Sequence, residues 1–73
     1  MQRYQNKSGT SGVTAFEIGD DYIKVRFKTN EIYTYNYSIP GSEMVEEMKV
    51  LAFKGKGLST YISRQNPEYF SKR

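Results

Sequence analysis

Cations recur at every second position of one short segment, Tyr22-Ile23-Lys24-Val25-Arg26-Phe27-Lys28. In an extended strand successive side chains point to opposite faces. Lys24, Arg26 and Lys28 therefore project from one side, and Ile23, Val25 and Phe27 from the other. A row of ammonium and guanidinium groups on one sheet face suits the phosphates of a nucleic acid. The same pattern also serves a half-buried sheet that keeps one face wet and uses lysine to discourage edge pairing. A second basic group is Lys54-Gly55-Lys56-Gly57. Two lysines beside the free amides of a helix start could hold an anion. The plainer reading is a helix stop followed by a connector.

Other chemistry is harder to build. The chain has no histidine and no cysteine. The commonest general base and the best nucleophile are both missing. Disulfides and thiolate or imidazole zinc sites go with them. Asp20 and Asp21 fall in a turn, and Glu43 and Glu47 lie at i, i+4 on the solvated side of a helix. Gly55-Lys56-Gly57 lacks the spacing of a phosphate loop, and no glycine-rich dinucleotide signature occurs. The expectation is a binding module rather than an enzyme, with no cofactor and no metal. Its partner is expected to be RNA or single-stranded nucleic acid, met by Lys24, Arg26, Lys28, Lys54 and Lys56. The alternative is a protein partner, met by the sheet edge or an exposed tyrosine.

These residues need a scaffold, and 73 residues make one domain. Without disulfide or metal the core must come from packing. Seven tyrosines and four phenylalanines suit that task. The net charge of +3 is unevenly spread: residues 1–12 carry two cations, residues 13–53 four cations against seven anions, and residues 54–73 five cations against one anion. Residues 1–12 are polar, with no apolar run of the kind a secretory signal needs. They are read as a flexible tail, because so polar a segment buries too little to offset its ordering entropy. No stretch approaches the ~20 apolar residues of a membrane span. A cytoplasmic protein that does not enter membranes is expected.

The rest reads as an α+β domain over residues 13–70, with 71–73 frayed. Val13–Ile18, Tyr22–Lys28 and Ile32–Tyr37 alternate as strands, separated by turn signals at Gly19-Asp20-Asp21 and Thr29-Asn30-Glu31. Together they form a three-stranded antiparallel meander. Ser42 is placed as the N-cap of one main helix. Met44, Val45, Met48, Leu51 and Ala52 line one face of that helix, and Gly55 ends it. Leu58, Tyr61 and Ile62 suggest a short second helix, stopped by Asn66-Pro67. Glu68-Tyr69-Phe70 then folds back. The core is expected to hold Phe16, Ile18, Val25, Phe27, Met48, Leu51 and Ile62.

Tyr33 and Tyr35 depend on register. A two-residue turn would set them among the cations; one residue more or fewer would set them beside Val25 and Phe27. Thr34 and Asn36 would make a poor core face, and Thr29-Asn30 lacks the glycine of a tight two-residue hairpin. The tyrosine rings are therefore placed in the core, with hydroxyls at its rim.

The order of features, with Tyr33-Thr34-Tyr35, Pro40 shortly after, and Ala52-Phe53-Lys54-Gly55-Lys56-Gly57-Leu58-Ser59-Thr60-Tyr61-Ile62, resembles the KTSC domain. That domain also occurs at the carboxy terminus of some lysyl-tRNA synthetases and as short bacterial and phage proteins. The resemblance covers about residues 11–65. The absence of a glycine from Thr29-Asn30-Glu31 departs from it. It implies a strand meander followed by helices, raises the expectation of RNA binding, and assigns no site.

Overall fold

A computed structural model describes all 73 residues. The meander is present: β2 (Val13–Ile18), β3 (Tyr22–Phe27) and β4 (Ile32–Asn36) pair antiparallel in sequence order. Two further strands flank it, β1 (Gln2–Arg3) on β2 and β5 (Ser71–Lys72) on β4, making an antiparallel sheet of five. Helix α1 (Ser42–Lys54) and the shorter α2 (Leu58–Gln65) follow the fourth strand. The fold is α+β, with two more strands than the alternation alone discloses.

The β3–β4 turn sets the tyrosine face. Three residues, Lys28-Thr29-Asn30, separate the bonded ends: the Phe27 amide donates to Glu31 O at 3.0 Å and the Asn30 amide to Phe27 O at 2.8 Å. Asn30 takes a left-handed conformation, φ 70°. Asparagine tolerates that region nearly as glycine does, so a three-residue hairpin forms without glycine. Val25 consequently pairs with Tyr33 and Ile23 with Tyr35. Tyr35 is buried to 2% exposure and Tyr33 is half-buried.

Phe16, Ile23, Val25 and Tyr35 form the buried face of the sheet, and Val45, Met48, Ala52 and Leu58 cover it from the helices. Of the expected core, Phe16, Val25 and Met48 are buried, while Ile18, Phe27, Leu51 and Ile62 pack around its margin. Phe27 is only half-buried and is not a central residue. Ser42 is not the cap. Gly41 holds that position at φ 115°, no side chain caps the helix, and Ser42 is its first residue. A serine one position inside the helix cannot fold its hydroxyl back onto the first-turn amides as a cap does.

The expectation of a flexible amino terminus is corrected. Tyr4 is 3% exposed within the core cluster, edge-on to Phe16 at 6.5 Å. Its hydroxyl accepts from the Leu58 amide at 3.3 Å, and its own amide donates to Thr14 O. The Lys7 amide reaches Gly55 O at 2.7 Å. Asn6 Oδ1 accepts from the Ser11 amide, and Ser11 Oγ accepts from the Val13 amide. Composition predicts a tail because the first twelve residues, Met1 and Tyr4 apart, bring little apolar area. One buried tyrosine offsets part of the ordering entropy, with about 1.5–3 kcal/mol of transfer free energy for a large side chain. The rest comes from backbone groups that satisfy the open edge of β2.

The frayed carboxy terminus is corrected for the same reason. The Arg73 amide donates to Ile32 O, the Ile32 amide to Arg73 O, and the Phe70 amide to Thr34 O. Lys72 Nζ lies 2.9 Å from the Glu31 carboxylate. The free edge of β4 recruits the last residues of the chain.

Candidate functional site

The cross-strand register places the cations. Arg3 pairs with Ala15, Ala15 with Arg26, and Arg26 with Ile32, which exchanges backbone bonds with Arg73. Residues opposite one another share a face, and Val25 and Phe16 define the other face as the core. Arg3, Arg26 and Arg73 therefore lie in one transverse row on the sheet face away from the helices. Each is two strands from the next, about 10 Å apart at the usual strand spacing. None of the three pairs with a carboxylate. The Arg26 guanidinium donates to Asn30 Oδ1 at 3.0 Å, which holds it along the hairpin.

The neighbouring row is Glu17, Lys24, Thr34 and Ser71. Lys24 is half-buried, with its ammonium 5.8 Å from the Tyr22 ring centroid. Glu17 accepts from the Tyr22 hydroxyl at 3.0 Å, and that bond pushes the Tyr22 phenol pKa up. A shallow hollow of about 440 Å³ opens over this row. Lys24 and Arg73 line it with the Glu17 carboxylate, Ile32, Thr34 and Ser71, together with Met1 and Phe70. Met1 and Phe70 are 53% and 59% exposed. The face thus joins guanidinium groups and the Lys24 ammonium to an exposed aromatic ring, with one carboxylate, Glu17, in the same hollow.

The five cations expected to act together do not share one surface. Lys24 and Arg26 are on the outer face. Lys28 sits beyond the end of β3, in the hairpin turn, beside a groove with Arg3, Gln5 and Asn6. Lys54 ends α1 and Lys56 lies in the α1–α2 connection, where Gly55 O receives the Lys7 amide. They form a separate basic group on the helix layer. Arg3 and Arg73 escape a reading of the sequence because each lies in a segment whose composition suggests disorder. The signal that could have found them is the unpaired edges of a three-stranded sheet, which need covering.

Tyr33 and Tyr35 lie on the opposite face, in an aromatic cleft of about 510 Å³ between the β3–β4 hairpin and the segment after α2. Tyr33 meets Phe27 edge-on at 5.3 Å and Tyr69 edge-on at 4.8 Å. The rings of Tyr33 and Tyr35 are nearly parallel, 6.4 Å apart. Burial, then the neighbouring phenols Tyr33 and Tyr69, push the Tyr35 hydroxyl pKa up to about 12. No helix is long and apolar enough to cross a membrane. No family model, curated protein or solved structure matches the chain.

Proposed function

We propose that this protein is a non-catalytic binding module for single-stranded nucleic acid, RNA in particular, and that its contact surface is the helix-free face of the sheet. The observation that carries the reading is the transverse row of Arg3, Arg26 and Arg73, free of carboxylate partners. Guanidinium groups on a flat face bind phosphates without reading sequence. Phe70, exposed beside Lys24 and Arg73, offers a stacking surface for an unpaired base. A duplex has its bases paired inside and offers Phe70 nothing to stack on. The KTSC-like order of Tyr33-Thr34-Tyr35, Pro40 and the two helices is part of the same proposal and adds weight to RNA.

Substitution separates this surface from the other basic group. Arg3→Gln, Arg26→Gln and Arg73→Gln together should weaken binding of a labelled polypyrimidine oligonucleotide about tenfold or more, three phosphate contacts being lost. Lys54→Gln with Lys56→Gln should leave affinity within about twofold, since those lysines lie elsewhere. Equal losses from both sets, at unchanged melting temperature, would contradict the assignment to the sheet face.

A further inference from the structure

The aromatic cleft on the helix side of the sheet opens onto the hydroxyl of a tyrosine whose ring is in the core. Tyr35 is 2% exposed, and its hydroxyl opens on the cleft without a hydrogen bond to any protein atom. The ring is buried, while the hydroxyl is reached by solvent through the cleft and is free to accept a hydrogen bond from a ligand. Around it stand Phe27, Tyr33 and Tyr69, with Asn66 and the Glu31 carboxylate. Its one carboxylate, Glu31, is ion-paired with Lys72 at the rim.

The chain shows which chemistry this wall accepts. Lys72, carried on β5, places its ammonium 5.5 Å from the Tyr33 ring centroid and 2.9 Å from the Glu31 carboxylate. It reaches them from a strand paired with β4. An extended segment delivering a cation to a tyrosine face and a carboxylate is thus already built at the rim. The space beyond, toward Tyr35, is empty of any such group.

We propose that the cleft binds an arginine side chain of a partner protein, its guanidinium lying against the tyrosine rings. The cation–aromatic attraction and the Glu31 carboxylate supply the electrostatics. The phenol oxygens, that of Tyr35 among them, and the Asn66 carbonyl accept the remaining N–H groups. Arginine fits better than lysine because its planar head can lie flat on a ring and donate in several directions at once. This surface is separate from the outer sheet face and stands or falls independently of it.

The test is an NMR titration of the full chain with N-acetyl-arginine methyl ester, following the Tyr35 and Tyr69 ring signals. The neutral isostere N-acetyl-citrulline methyl ester is the control for charge, and Nα-acetyl-lysine methyl ester is the control for an ammonium in place of the guanidinium. Shifts confined to the cleft are expected, with capped arginine binding about tenfold tighter than capped citrulline. Tyr35→Phe removes one oxygen and keeps the ring, and should weaken binding about fivefold. Glu31→Gln should weaken it further, and Lys72→Gln, which frees Glu31, should strengthen it. Equal binding of capped citrulline, tighter binding of capped lysine, no shifts in the cleft, or indifference to both Tyr35→Phe and Glu31→Gln would each overturn the proposal.

Discussion

Asn30 is the residue on which the rest of the sheet depends. Its left-handed conformation lengthens the hairpin turn to three residues and thereby turns Tyr33 and Tyr35 inward. That outcome is legible in the sequence, since a polar Thr34/Asn36 core face is implausible and glycine is missing from the turn. The consequence can be measured at Tyr35. Its phenol pKa, about 12, is raised above the ordinary tyrosine range by burial. A raised pKa favours the protonated folded form, so its stabilisation is complete below about pH 10 and is lost as pH rises toward the folded value. Tyrosinate absorbance should show Tyr35 ionising last, coincident with unfolding, and Tyr35→Phe should remove that late step. A Tyr35 that titrates with the exposed tyrosines would contradict its burial. Gly55 is the other determining position. It adopts φ 71°, and a Cβ there would lie 2.6 Å from Gln5 Cβ. Gly55→Ala should cost about 1–2 kcal/mol for the left-handed backbone, and more if the Gln5 contact cannot relax. A denaturant midpoint unchanged from wild type would show that the amino-terminal segment does not pack there.

At the scale of elements, alternation locates β2, β3 and β4, and helical spacing with Gly55 and Asn66-Pro67 locates α1 and α2. The two edge strands are not legible. Each is two residues long. Two residues have no period, and their pairing is decided by which backbone groups the central strands leave open. Tyr4 makes the amino-terminal strand consequential. Tyr4→Ala should cost about 3–5 kcal/mol, as large aromatic truncations in cores do. Removing residues 1–10 should lower the melting temperature as well. A truncated protein melting with the wild type would restore the view of that segment as a tail. The carboxy-terminal strand should respond to acid. The Lys72 ammonium and the Thr29 hydroxyl hold the Glu31 carboxyl below the usual carboxylate range. A depressed pKa means the tie is present above the unfolded value, about 4.3, and is lost as pH falls through the folded one. Protection factors of the Phe70 and Arg73 amides should therefore fall in acid before those of β3, and in Lys72→Gln they should already be low at neutral pH. Uniform exchange across β4 and β5 at every pH would contradict this.

The whole molecule presents two unlike sides. One is a flat basic sheet face with Phe70 beside it; the other carries the helices, the aromatic cleft and the separate lysines at positions 54 and 56. The alternation of Lys24 and Arg26 along one strand is enough to mark the basic face. Its extent is hidden from the sequence, because Arg3 joins it only by pairing with Ala15 and Arg73 only by its backbone bonds to the distant Ile32. Charge counted along the chain also merges Lys54 and Lys56 with that face, which their place on the helix layer undoes. The central claim is that single-stranded nucleic acid is held there by phosphate contacts. Its most direct test is the slope of log affinity against log salt for a single-stranded oligonucleotide. Each phosphate neutralised on a single strand contributes about −0.7 to that slope. If Arg3, Lys24, Arg26 and Arg73 all engage, the slope should be about −3, falling to about −1 when the three arginines become glutamine. A complex whose affinity ignores salt, or whose slope survives that triple substitution in a folded protein, would contradict the account.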